Sequence, residues 1–495
     1  MTTYHALLKT ATTLRLVVCI AIGFAFVLHG EDSMARRKTR TGRYTATDVQ
    51  LFNPNFANSA ATLEWIDAAG ALQASLPVSM PLRSSVYITA EESGLVSPTF
   101  IGAIEIVSAT EALYGVVTHM DKGAGAPAFE RGNDQYEIRD VNFSSDPLNA
   151  PLIVENGVVH TNLSLLSPAD NGPTLVTITL FTSAGTPITF NQTIVGNVLV
   201  EISPTIVTST FAGSGRIWAS QPIAVYVSLY DGAVQGGYTA VPGDEASVSA
   251  VNGVYPNLQP TDDAGAQRTL YVVNTSDTPT EVTISSNDGV LFTRTVPTFG
   301  QVDVSVPFSK TITEVYVNAN QEVESVMTVA DTNASDPRQI TGFVVYPLLK
   351  KRDEALPRTK PLGLTTYCAV APTVYGGYKG WETTLKVINP LSVTGLLTVT
   401  FFPALSATTQ VSNVIVTRLL PPNLSVVPNY AGIVGGESAW SALLEASVPF
   451  YGDATSLRRG ETDGLMSYRV EPIACPSRTY NLYVPLHIKP ATSMR

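Results

Sequence analysis

The sequence predicts an all-β protein: four tandem antiparallel β-sandwich domains after an N-terminal signal segment. Three observations lead there. Only 14% of the 495 residues are charged while 44% are hydrophobic, and the β-branched residues fall in short runs punctuated by Gly, Pro and Asn, as half-buried strands joined by turns require. The chain is too long for one ordinary core and suggests three or four domains. Finally, the stretch "DVQLFNPNFANSAATLEWIDAAG" (Asp48 to Gly70) reads as two alternating strands around an Asn-Pro-Asn turn, and its pattern returns three times.

The turn residue Asn53 corresponds to Ser167, Asn274 and Asn389, a module of roughly 110 residues. Four and two residues before the turn lie Val49 and Leu51, Leu163 and Leu165, Leu270 and Val272, Leu385 and Val387, each pair on one face of a period-2 strand. After the turn come Leu63 and Trp65, then Val176, Ile178 and Leu180, then Val282 and Ile284, then Leu397, Val399 and Phe401, alternating with Thr, Ser or Glu. One face reads dry and the other wet, as in antiparallel sandwiches. Gly70, Gly185 and Gly289 close the second strand where a tight turn needs positive φ, and the fourth copy has "PALS" instead. Each copy then carries a late strand, turn and strand, read as a hairpin, ending near Asp121, Asp231, Asp331 and Asp453. These aspartates read as turn formers, "DTNASD" (Asp331 to Asp336) being the best local calcium candidate.

The N-terminus reads as an export signal. Lys9 and Arg15 precede the apolar run Leu16 to Leu28, too short to span a bilayer comfortably but suited to a signal core. Ser33 and Ala35 sit at −3 and −1 of a cut before Arg36, with a translation start at Met34 as the alternative. The basic run "MARRKTRTGR" (Met34 to Arg43) then follows as a solvated arm or an anchor to an acidic polymer. The expected divisions are residues 1–35 as signal, then sandwiches over 36–146, 147–246, 247–358 and 359–495. Cys368 and Cys475 remain as an even pair in the last sandwich. Either they bridge, closing a long loop, or they stay as buried thiols.

The pattern resembles the β-sandwich modules strung together in secreted surface proteins of filamentous bacteria, and more distantly the sandwich of the sensory rhodopsin transducer family. The residues carrying the likeness are "GWETTLKVINPLSVTGLLTVTFF" (Gly380 to Phe402), "SQPIAVYVSLYD" (Ser220 to Asp231) and "TTYCAVAP" (Thr365 to Pro372). The resemblance implies a tandem sandwich fold and a surface location. No functional residue of the transducer family maps onto these positions, so its signalling role is not implied.

Charge and motifs narrow the function classes. A net charge of −11 argues against nucleic acid, which needs a concentrated basic face. His119, His160 and His487 are widely separated and no HExxH is present. "GESAW" at Gly436 lacks the second Gly of a nucleophile elbow. Asp262 and Asp263 sit in a polar loop where nothing sets their pKa values apart. The expected protein is therefore non-catalytic and needs no cofactor or metal. It is read as a secreted structural or adhesive surface protein that self-associates, as a filament or layer, or holds a cell-envelope polymer. A glycan is the alternative ligand. Tyr375, Tyr378 and Trp381 crowd the loop "TVYGGYKGW", either stacking on sugar rings or packing against a neighbouring domain. At the far end Tyr480, Leu482, Val484, Leu486 and Ile488 alternate on one face. That strand either closes the fourth sandwich, as "TGFVVYPLLK" (Thr341 to Lys350) closes the third, or pairs with an open edge of another subunit.

Overall fold

The computed structural model describes residues 14–20, 44–89, 94–96, 102–108, 113–122, 130–138, 147–167, 172–196, 198–206, 208–231, 234–242, 252–255, 267–286, 288–306, 314–333, 336–347, 349–350, 358–359, 365–378, 380–404, 413–422, 425–427, 439–457 and 465–476. Among them the short runs of β-branched residues form strands throughout, with no α-helix. The first module holds β1 (Leu14–Ile20), β2 (Tyr44–Asn53), β3 (Ser59–Asp67), β4 (Leu72–Met80), β5 (Ser84–Thr89), β6 (Gly102–Ser108), β7 (Tyr114–Lys122) and β8 (Glu130–Ile138). The second holds β9 (Leu148–Glu155), β10 (His160–Leu166), β11 (Thr174–Thr182), β12 (Pro187–Ile194), β13 (Leu199–Ile202), β14 (Phe211–Ala219), β15 (Ala224–Asp231), β16 (Val234–Thr239) and the short β17 (Val241–Pro242). The third holds β18 (Asn252–Tyr255), β19 (Gln267–Asn274), β20 (Thr280–Ser286), β21 (Gly289–Val296), β22 (Gln301–Val306), β23 (Val315–Ala319), β24 (Val323–Asn333), β25 (Asp336–Pro347) and β26 (Leu349–Lys350). The fourth begins with β27 (Arg358–Thr359) and holds β28 (Thr365–Tyr378), β29 (Trp381–Ile388), β30 (Gly395–Pro403), β31 (Val414–Leu420), β32 (Ser425–Val426), β33 (Ala439–Ala446), β34 (Tyr451–Leu457), β35 (Leu465–Arg469) and β36 (Glu471–Ile473).

One topology repeats. In every module, counting the fourth from β28, the first, sixth, third and fourth strands form one sheet layer in that order, and the fifth, second, seventh and eighth form the facing layer; in the second and fourth modules the two layers are also joined through β9–β10 and β28–β29. The strand before the Asn or Ser turn and the strand after it therefore lie in opposite sheets. The turn is an arch between sheets and not the closure of a hairpin. The late pair behaves alike, since β6 and β7 sit in different sheets. Alternation marks which face of a strand is dry and leaves its lateral partner open. The hairpins are β3 with β4 and its counterparts, where Gly70, Gly185 and Gly289 adopt φ of 88°, 82° and 128° in the region that favours glycine.

Each module fills its own sandwich with the residues that alternation marked. Leu51, Leu63 and Trp65 pack in the first, Leu165, Ile178 and Leu180 in the second, Val272, Val282 and Ile284 in the third, and Val387, Val399 and Phe401 in the fourth, all nearly inaccessible. The arch is clamped by its Asn. Asn389 Nδ2 donates to Val393 O (2.7 Å) and Leu420 O (3.0 Å), and its Oδ1 accepts from Leu391 N (3.0 Å). Asn274 repeats this with Thr278 O, Pro297 O and Ser276 N, and Asn53 with Ala57 O, Pro81 O and Asn55 N. At the second module's arch the shorter Ser167 pairs its hydroxyl with Thr174 Oγ1 (3.3 Å).

The modules are not strung as a rod. The second sheet of each lies on the first sheet of its predecessor, and the first module's lies on the fourth. Val116 on β7 belongs to the fourth module's core, Leu166 and Tyr226 on β10 and β15 to the first's, and Val326 on β24 to the second's. Ile388 and Tyr451 on β29 and β34 pack with Tyr316 on β23. At the centre β8 lies against both β16 and β35, and β25 against the same two strands. Head-to-tail contacts of this kind close into a ring when the rotation per step allows it, and here four steps suffice. The segment read as a signal core supplies β1, which pairs with β6 in the first module.

Candidate functional site at the module joints

The joints use residues that alternation assigns to the wet side. Asp48 and Gln50 flank Val49 on the polar face of β2, yet both are buried, as are Asn162 and Ser164 on β10 and Lys386 on β29. A neighbouring module covers them. At the joint of the first and fourth modules, Gln50 Nε2 donates to Ser85 Oγ (2.9 Å), Trp440 O (2.9 Å) and Ser441 Oγ (3.1 Å), and Phe52 meets Phe402 with ring centroids 5.2 Å apart. At the joint of the second and third, Gln301 Nε2 donates to Pro151 O (2.6 Å) and Gly213 O (3.0 Å), Asn149 Nδ2 donates to Glu324 Oε1 (3.0 Å), and Phe181 stacks on Phe299 at 4.9 Å. Buried polar groups that find partners only in one docking geometry fix that geometry.

The joint of the third and fourth modules is ionic. Lys386 and Asp453 face each other across β29 and β34, both buried. Burial lowers the Lys386 pKa, opposed by Asp453, and the nearby Arg268 of the third module lowers it further. Burial raises the Asp453 carboxyl to about 6, opposed by Lys386 and by a hydrogen bond from Thr455. Desolvation outweighs the attraction on both partners, so each charge is carried at a cost.

The stretch read as an aromatic loop is mostly strand, with Tyr375 and Tyr378 at the end of β28 and Trp381 opening β29, and it lies in the joint of the fourth and first modules. Tyr375 and Trp381 are fully buried. Tyr375 stacks on Tyr378 at 6.0 Å, Tyr378 meets Tyr87 of the first module edge-on at 5.3 Å, and the Tyr375 hydroxyl is 3.4 Å from Thr118 Oγ1. Burial, with Asp48 adding to it, raises the Tyr87 pKa, and its hydroxyl donates to Asp48 Oδ2 at 2.5 Å. Cys368 and Cys475 form a disulfide that ties β28 to the residues after β36. Tyr480, Leu482, Val484, Leu486 and Ile488 lie outside the described residues. The joint residues Gln50, Ser441, Gln301 and Asn149 escape a reading of one strand at a time. Their one sequence signal is a bulky polar group, such as Gln50, between apolar neighbours where Thr or Ser is usual.

Away from the joints, the third and fourth strands of each module turn a flat face outward. On the second module Thr177 Oγ1 donates to Asn191 Oδ1 (2.8 Å) and Thr179 Oγ1 lies 3.1 Å from Thr189 Oγ1, beside Trp218, which is 44% exposed. Thr283 and Thr293 pair likewise on the third module at 3.3 Å, and Thr398 stands opposite Thr417 on the fourth. On the first module Glu64 stands opposite Ser75. Cross-strand hydroxyl pairs of this kind order a sheet surface without covering it. A cleft at the joint of the second and third modules, lined by Pro151, Phe181, Arg216, Val273 and Phe299, has about 270 Å³ of empty space including open solvent, below the range of small-molecule sites. Among the described residues no group of three or more side chains is placed to hold a metal ion, and no helix is long and apolar enough to cross a membrane.

No family model matches the chain, and no curated protein matches it. A solved structure, a tetra-tandem repeat in the extending region of a large adhesion protein, is 12% identical, with 86% of this chain and 93% of that chain covered and a TM-score of 0.10.

Proposed function

We propose that the chain is a secreted, non-catalytic surface protein, structural or adhesive, that presents four like sheet faces from one closed ring to a cell-envelope polymer or to further copies of itself. The observation that carries this reading is the outward face itself. It recurs on every module, carries facing hydroxyl side chains on the second, third and fourth, and is left open by the joints. Four weak contacts held on a fixed frame add as avidity. The export-like N-terminus and the pair of bridged cysteines fit a compartment outside the cytosol.

A purified envelope polysaccharide and electron microscopy of the protein alone test the two kinds of partner. Replacing Thr179, Thr283 and Thr398 by Lys, singly and together, places a bulky charge on successive faces. Single changes weaken retention or assembly several-fold and the triple change abolishes it. Binding and assembly that ignore all three changes sink the proposal. A second reading, glycan binding, is favoured by Trp218, an exposed ring flanked by Thr177 and Arg216. Trp218→Ala then removes glycan binding while leaving assembly intact.

A further inference from the structure

The first strands of the first, second and fourth modules sit at joints. β9 lies against β19 and β24 of the third module, β28 against β2 and β7 of the first, and β1 against β10 and β15 of the second. Three of the four first strands come from the chain immediately after the preceding module's last strands, β9 after β8, β18 after β17 and β28 after β26 and β27. They also lead promptly into the second strand, Glu155 to His160, Tyr255 to Gln267 and Tyr378 to Trp381. β1 departs from that order, ending at Ile20 with β2 starting only at Tyr44.

A residue-level marker accompanies the three. Ala150 stands opposite Gly215, Tyr255 opposite Val315, and Ala371 opposite Ala442. Those partners stand in turn opposite Leu180, Ser286 and Phe401, the same position of the third strand. The residue after each is proline: Pro151, Pro256 and Pro372. In β9 and β28 the register shifts there, so that two residues, beginning with the proline, oppose one. Proline belongs at such a bulge because it has no N–H to give the ladder. In the first module the corresponding position of β6 is Ile104, opposite Trp65. Val18 of β1 faces it, followed by Cys19, and the register runs on without a shift.

We propose that Tyr480 to Ile488 is the native first strand of the first module, closing the ring by pairing the two ends of one chain, and that Leu14–Ile20 occupies its place. The sequence "LYVPLHI" supplies the missing marker, Val484 followed by Pro485, 11 residues beyond Ile473, where Ala150 lies 12 beyond Ile138. It is the next segment after the fourth module's last strands, and β35 already lies against β8. The register is then Val484 opposite Ile104 and Leu482 opposite Ile106, two positions at the centre of the first module's core. The N-terminal apolar run is thereby released to serve as a leader. This assignment does not depend on what the outward faces bind.

Two segments claim Val107 of β6: Arg15 in the register of β1 and Asn481 in the register proposed. In the full chain with Cys19→Ser, the pairs Val107→Cys with Asn481→Cys and Val107→Cys with Arg15→Cys are oxidised and mapped by mass spectrometry, using mixed isotope-labelled chains. The 107–481 link forms within single chains, and the 15–107 link does not. A dominant 15–107 link, a 107–481 link only between copies, or neither link overturns the proposal. In the unmodified full chain, hydrogen exchange of the 480–488 amides is slowed at least a hundredfold while that of 14–20 is not. The reverse pattern overturns it equally.

Discussion

Asn389→Ala probes the clamp that repeats at the arch of three modules. The side chain is inaccessible and makes three hydrogen bonds, to Val393 O, Leu420 O and Leu391 N. Each such bond is worth about 1 kcal/mol net, and a carbonyl left buried without a donor adds to the loss. The expected destabilisation of the fourth module is about 3 kcal/mol. Trp381 and Trp440 are both buried in that module, so their fluorescence follows its unfolding in urea. With a slope of roughly 1–3 kcal/mol per molar, the midpoint falls by about 1–3 M. Asn389→Ser, which installs the residue the second module uses at Ser167, recovers part of the loss. A midpoint within about 0.2 M of the parent would show that the arch is held by its flanking strands alone.

Three further outcomes follow from the joints and the bridge. Because burial raises the Asp453 carboxyl to about 6 in the folded chain from its ordinary 3.8, the folded state binds the extra proton between those values. Its contribution to stability is therefore largest below about pH 4 and falls as pH rises to about 6. The stability difference between the parent and Asp453→Asn, measured by urea unfolding across pH 4 to 7, shifts by on the order of 2 kcal/mol in that direction, and a flat difference contradicts the burial. Gln50→Ala strips Ser85, Trp440 O and Ser441 of a shared donor, costing about 2 kcal/mol and speeding amide exchange in β5 and β33 together. Loss confined to one module contradicts a shared joint. Reduction of Cys368–Cys475, which closes a separation of 107 residues, lowers the fourth module's stability by about 5 kcal/mol on the chain-entropy account, and urea unfolding with and without reductant reads it.

Much of the module was legible because alternation is a local property. Val49, Leu163, Leu270 and Leu385 each point into a core, and the turn glycines adopt the conformation that their positions demand. Lateral pairing was less legible. β2 and β3 belong to opposite sheets, and the period-2 signal of an arch is the same as that of a hairpin. The joints were least legible. Gln50, Ser164 and Lys386 sit on the polar side of their strands and become buried only when another module docks, so their environment is set by residues about a hundred or several hundred positions away. The same reason puts Tyr375 and Trp381 in a joint, although the glycines beside them read equally well as room for rings to project.

Small-angle scattering of the full chain in solution tests the closed ring most directly. A closed arrangement of 495 residues has a radius of gyration of about 23 Å by the scaling of compact chains. Four sandwiches placed end to end, each roughly 30–40 Å long, give about 35–45 Å. The smaller value is expected, and the larger one contradicts the packing of the first module on the fourth.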